Sequence, residues 1–252
     1  MSVDLPKEFL QRPIAHRALH DVTDGRPENS RAAVRAAVSG GYAIELDVQM
    51  SADGRAMTFH DYDLDRLTVD KGPLSQRTSA ELGKIALKGG DEGVPTLGEV
   101  LEIVSGRVPL LVEIKDQDGA LGTNVGPLEE AVAKDLHGYD GPAAVMSFNP
   151  HSVAAMRSLS PELARGLVTE AFPVGEWAVP EERLAELRMI PDFERVGASF
   201  ISHDHKDLSS PHVARLKAQG VPILCWTIRS AEAEMEARKI ADNVTFERYL
   251  PG

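Results

Sequence analysis

A chain of 252 residues with 42% apolar content can bury one large core and lies within the size range of a single α/β barrel. Its 39 acidic against 27 basic side chains give a formal charge of −12, which argues against nucleic acid or an anionic membrane as partner but leaves room for a local positive site that takes a small phosphate ester. The single cysteine, Cys225, excludes an intrachain disulfide and cysteine-rich zinc sites; the acidic, proline-bearing start MSVDLPKEFL and the lack of any run of about 18 apolar residues predict a soluble, cytoplasmic protein with no stable membrane association.

Short apolar runs alternate with helical patterns along the chain. Strands are predicted at 13–17, 43–50, 56–61, 108–115, 143–148, 164–169, 198–203, 221–228 and 243–247. Helices are predicted at 30–39, 96–104, 127–136, 151–159, 181–189, 211–219 and 230–241. Strand-helix alternation calls for parallel strands with right-handed crossovers. One connection breaks the pattern, because residues 51–55 are too few for a parallel crossover and must form an antiparallel hairpin. With Asp53-Gly54 as a two-residue corner, His60 falls directly opposite Asp47. Removing this return strand leaves the eight parallel strands that close a (β/α)8 TIM barrel, whose reactive groups gather at the carboxyl ends of the strands. The expected organisation is a single barrel domain over 1–252, with a turn-rich insertion at about 62–107 packed over the barrel mouth.

Three strands carry charge where a core wants apolar groups. In AIELDVQM, Glu45 and Asp47 are two apart and share a face; in LLVEIK, Glu113 and Lys115 do the same. Ile44, Leu46, Val48, Val112 and Ile114 take the helix-facing side, so the charges are expected to point to the barrel axis. Three converging carboxylates repel one another unless a cation lies among them. Glu45, Asp47 and Glu113 are therefore the candidate metal ligands, for Mg²⁺ or Ca²⁺ because the donors are hard oxygens. His16 ends the first strand and His60 the return strand, and both suit general acid and base work beside that metal. Arg17 and Lys115 are candidates to neutralise a phosphoryl group.

These residues resemble the glycerophosphodiester phosphodiesterase family. AHRALHD is similar to its His-Arg-Gly motif, PENS to its Pro-Glu-Asn-Thr/Ser helix start, and ELDVQMSADGRAMTFHD to its Glu-x-Asp followed by His-Asp. VEIK, VMSF and CWTI resemble its Glu-x-Lys, Ser-Phe and late Trp-Thr strands. The resemblance implies a metal-dependent barrel that hydrolyses glycerophosphodiesters to glycerol 3-phosphate and an alcohol. It implies His16 and His60 as the acid/base pair, Glu45, Asp47 and Glu113 on the metal, and Arg17 and Lys115 at the phosphate. Two positions depart from the pattern: Ala18 stands where the motif has glycine, and a terminal Thr-Asp becomes Thr245-Phe246-Glu247, where nothing beyond a possible ligand contact is expected.

Other residues that stand out have plainer expectations. His20, His137, His151, His203, His205 and His212 are expected to be structural. Pro27-Glu28-Asn29-Ser30 reads first as a helix start, and Phe148 and Trp226 as packing rather than substrate stacking. Two rival functions use the same barrel: a non-catalytic phosphate-ligand binder, and an aldolase or isomerase with Lys115 as Schiff base.

Overall fold

The computed structural model describes residues 3–251. Nine strands form one sheet: β1 (Ile14–Ala15), β2 (Ala43–Met50), β3 (Ala56–Thr58), β4 (Leu110–Ile114), β5 (Ala143–Ser147), β6 (Ala164–Thr169), β7 (Phe200–Asp204), β8 (Ile223–Ile228) and β9 (Asn243–Phe246). All but β3 are parallel neighbours, and β1 pairs with both β2 and β9, so eight strands close into the expected TIM barrel and β3 lies outside the ring against β2.

Period-2 alternation divides the core in two. Ile44, Leu46, Val48, Val112 and Ile114 point outward into a cluster with Ala33, Val34 and Ala37 of helix α1 (Arg31–Gly40). Ser30 caps that helix by accepting from Ala33 N, and Gly41 ends it at φ 69°, a left-handed position that glycine takes without steric cost. Inside the ring lie Leu111, Met146, Val168, Phe200 and Leu224, with Phe9 packed among them from the N-terminal segment. Gly166 of β6 makes room for this packing, because a Cβ there would come 2.4 Å from the Phe200 ring.

The hairpin register differs from the expected one. Val48 pairs with Thr58, so Asp47 lies opposite Phe59, whose N–H donates to Asp47 O, and not opposite His60. The corner holds three residues rather than two: Gly54 N donates to Ser51 O, Ser51 N donates to Arg55 O, and Gly54 sits at φ 74°. This is the three-residue hairpin, a turn followed by a left-handed glycine, and the extra residue moves the register by one. β3 also stops at Thr58 instead of reaching Asp61, and β1 stops at Ala15 because Arg17 and Ala18 turn into positive φ.

The apolar residues of 62–107 fall into two groups. Leu64, Leu74, Leu82, Leu87 and Val94 form a small core of their own with Met57 and Phe59. Leu97, Val100, Leu101 and Val104, on the helix α3 (Leu97–Val104) that follows the short α2 (Ser79–Leu82), pack into the barrel's outer layer.

Candidate active site

β2 and β4 run in register with Asp47 beside Glu113, and Glu45 lies one inward-facing step earlier on β2. The carboxylates of Glu45, Asp47 and Glu113 accordingly each offer an oxygen within 4.8 Å of the others, all buried. Burial, followed by the charges of Asp47 and Glu113, pushes the Glu45 carboxyl well above its ordinary value. Burial pushes Asp47 the same way, but His60, Lys115, Arg17 and the Asn29 amide outweigh it and hold that carboxyl well below the usual range. Lys115 Nζ lies 2.7 Å from Glu113 and 3.4 Å from Asp47. Burial disfavours its charge, yet these two carboxylates raise its pKa. Among the described residues no Lys, Arg or His forms an ion pair with Glu45, which instead accepts the Arg17 backbone N–H at 2.8 Å. A site whose donors are all carboxylate oxygens, with one carboxyl pushed toward protonation by burial and by its two acidic neighbours, fits a hard divalent cation.

Each histidine is held by a carboxylate. His16 Nδ1 lies 2.7 Å from Glu247 Oε2, and His60 Nδ1 lies 2.7 Å from Asp61 Oδ1. Burial raises Glu247 and Asp61, but hydrogen bonds from the histidines and from Arg229 and Arg66 outweigh it and hold both carboxyls far below their ordinary range. Ionised carboxylates only accept, so Nδ1 carries a hydrogen in each ring and Nε2 is left as the position that takes up or gives up a proton. Burial is also the main influence on His16, lowering its pKa below 6.5 against the opposing pull of Glu247. His60 reaches the site despite the shifted register because Gln49 Nε2 donates to its carbonyl at 3.0 Å as the chain leaves β3.

Arg17 donates to Glu28 at 2.7 Å and its Nε lies 3.5 Å from Asp47, without a hydrogen-bond partner although buried. Its φ is 51° and that of Ala18 is 63°, so Ala18 occupies the left-handed conformation for which the motif's glycine is suited. The seven residues singled out in the sequence, His16, Arg17, Glu45, Asp47, His60, Glu113 and Lys115, line one cavity of about 210 Å³ at the carboxyl ends of the strands, with Phe148, Trp226 and Arg229 on its wall.

Four residues act here beyond what was read from the sequence, which placed Glu28 and Asn29 in a helix start and gave Glu247 at most a ligand contact. Glu247 and Asp61 orient the histidines. Glu28 gathers Arg17 and Arg66, and Asn29 donates to Asp47 Oδ2 at 3.0 Å while accepting its N–H at 3.2 Å. PENS therefore starts a helix through Ser30 and supports the site through Glu28 and Asn29. The signals were the acid directly after His60 and the charge retained at Glu247, both at the ends of strands that already carried reactive groups.

The family model for the glycerophosphoryl diester phosphodiesterase family matches residues 16–245. The chain is 33% identical over 174 residues to a glycerophosphodiester phosphodiesterase of Caldanaerobacter subterraneus subsp. tengcongensis, covering 65% of this chain and 69% of the relative. It is 34% identical over 246 residues to glycerophosphodiester phosphodiesterase 1 of Rattus norvegicus, covering 86% and 71%. A phosphodiesterase of Oleispira antarctica, solved with the product sn-glycerol-3-phosphate, superposes with a TM-score of 0.75 at 26% identity over 95% of this chain and 94% of that one. Matched from its first histidine to its last strand, the chain belongs to the glycerophosphoryl diester phosphodiesterase family.

Proposed function

We propose that the chain hydrolyses glycerophosphodiesters to glycerol 3-phosphate and an alcohol, with Mg²⁺ or Ca²⁺ held by Glu45, Asp47 and Glu113 and with His16 and His60 moving the protons. The family gives the reaction class, that of a glycerophosphodiester phosphodiesterase, and the Oleispira antarctica relative binds a product of that reaction. The observation that carries the finer reading is the meeting of three carboxylates and two carboxylate-held imidazoles in one cavity.

A bound divalent cation supplies Lewis acidity toward the phosphoryl oxygens. The chain's own groups do the rest. Arg17 and Lys115 face the phosphate with positive charge. His16, kept neutral near pH 7 by burial, takes a proton at Nε2 from the attacking hydroxyl, and His60, carrying a second proton at Nε2 when the step begins, gives that proton to the departing alkoxide. A Schiff-base role for Lys115 is disfavoured, because a nucleophilic amine must be neutral and the neighbouring carboxylates favour the ammonium. Among the described residues no helix is long and apolar enough to cross a membrane. We further propose that the chain acts as one barrel domain in the cytoplasm on a small-molecule substrate.

Turnover of glycerophosphocholine with added metal tests this reading. His16→Ala and His60→Ala should each lower kcat by about 10²-fold or more; full activity in either variant rejects the acid/base assignment, and an inactive wild-type barrel that still binds glycerol 3-phosphate would favour the non-catalytic rival.

A further inference from the structure

A second cavity, of about 520 Å³, adjoins the catalytic one and shares His60, Glu113, Lys115, Phe148 and Trp226 with it. Its far wall comes from the segment after β6. Trp177 packs against Phe148 with ring centroids 5.0 Å apart, Phe148 lies 5.7 Å from Trp226, and Phe172 lies 5.6 Å from Trp177 behind them. The remaining wall is acidic: Asp116, Glu170 and Glu176 line it. The Trp177 indole N–H, a neutral donor that brings no positive charge, donates to Glu170; burial first, and then Asp204 and Glu176, raise that carboxyl's pKa against this bond, as expected of an acid without a cationic counterpart. Among the described residues no Lys, Arg or His forms an ion pair with Asp116, Glu170 or Glu176. The cationic residue on this wall, Lys115, is already bound to Glu113 and Asp47.

Resting on the phosphodiesterase reading above, we propose that this cavity is the headgroup site and that it selects an alcohol bearing an ammonium group, choline or ethanolamine. Aromatic faces attract a cation through their quadrupole, and uncancelled carboxylates around the same space add Coulombic attraction. A neutral polyol gains neither, and an anionic headgroup meets repulsion. The position suits the assignment, since the cavity opens at His60, the proposed donor to the leaving alkoxide, and a two-carbon linker then directs the ammonium away from the phosphate toward Trp177.

Both tryptophans of the chain, Trp177 and Trp226, line this cavity, so intrinsic fluorescence reports its occupancy. Choline titrated against sodium chloride at matched ionic strength should give a saturable change that weakens in Glu170→Gln. In parallel, kcat/KM for glycerophosphocholine and glycerophosphoethanolamine should exceed that for glycerophosphoglycerol by about ten-fold or more, with the ratio falling toward one in Trp177→Leu. The choline and ethanolamine arms separate a quaternary from a primary ammonium. Equal kcat/KM across the three headgroups, or no choline-specific fluorescence change, overturns the headgroup assignment while leaving the hydrolase reading intact. Failure to cleave any of the three overturns the hydrolase reading, and the choline titration then still decides the cavity.

Discussion

Replacing Glu247 by glutamine tests the orientation of His16 by exchanging one oxygen for an NH₂. In the native site Arg229 Nε donates to Glu247 Oε1 at 2.7 Å, and Oε2 accepts from His16 Nδ1 at 2.7 Å. Arg229 has no lone pair to offer, so in Glu247→Gln it keeps the amide oxygen of the new side chain and turns the NH₂ toward His16. That group can only donate, which requires Nδ1 to be bare and Nε2 to carry the hydrogen, the wrong tautomer for a base. Losing a charge-assisted hydrogen bond alone is worth about 1.5–3 kcal/mol, roughly 10- to 150-fold in rate. The same swap at the orienting aspartate of a serine protease costs about 10⁴, so the expected fall in kcat lies between roughly 10² and 10⁴, with KM changing far less. The pH profile carries a sign. Burial places the His16 pKa below 6.5 and Glu247 opposes that shift, so removing the carboxylate charge moves the acid limb of kcat/KM further toward acid. Steady-state kinetics against pH measures both effects. A double-mutant cycle isolates the amide direction: in an Arg229→Gln background the oxygen is free to turn, and Glu247→Gln should cost less than it does alone. Wild-type kcat with an unmoved acid limb, or strict additivity in the cycle, would refute the reasoning.

Four further outcomes follow from the geometry. EDTA should abolish activity and a single added divalent metal restore it, while Glu113→Gln weakens metal affinity more than folding; thermal melts with and without metal compare the two, and a chelator-resistant enzyme counts against the carboxylate site. Ala18 is held at φ 63°, so Ala18→Gly should relieve about 1 kcal/mol of left-handed strain and raise Tm by about 2–4 °C, with a lower Tm opposing that account. Asn29→Ala removes both hydrogen bonds to the buried Asp47 and should destabilise by about 1–3 kcal/mol in denaturant titration. His16 also links stability to pH: because its folded pKa lies below 6.5, the unfolded chain binds more protons, and its contribution is complete above 6.5 and declines as pH falls from there toward the folded value. An acid melt of His16→Gln, flatter than wild type across that window, checks the sign.

How much of the site could be read in the chain depended on how local its cause was. Glu45 and Asp47 share a face because β geometry alternates residue by residue, and that held for β2 whatever it packed against. The shortness of the 51–55 link likewise forced an antiparallel return, but the partner of Asp47 turned on one residue in the corner, where a three-residue loop displaced His60 by a position. Glu247 shows the other limit, since its bond to His16 spans 231 positions of sequence and exists only because β9 closes the ring against β1.

Alternation of side chains and the length of each connection were thus enough to specify a closed barrel with inward-facing acids, for these follow from backbone geometry within single segments. The partners that orient His16 and His60, the left-handed turn at Arg17–Ala18, and the joining of Phe148, Trp177 and Trp226 into one wall were decided only in three dimensions. The physical reason is that hydrogen bonds and aromatic contacts act over a few ångströms, and groups far apart in the chain meet at that range only after the strands have closed and the loops at their ends have packed.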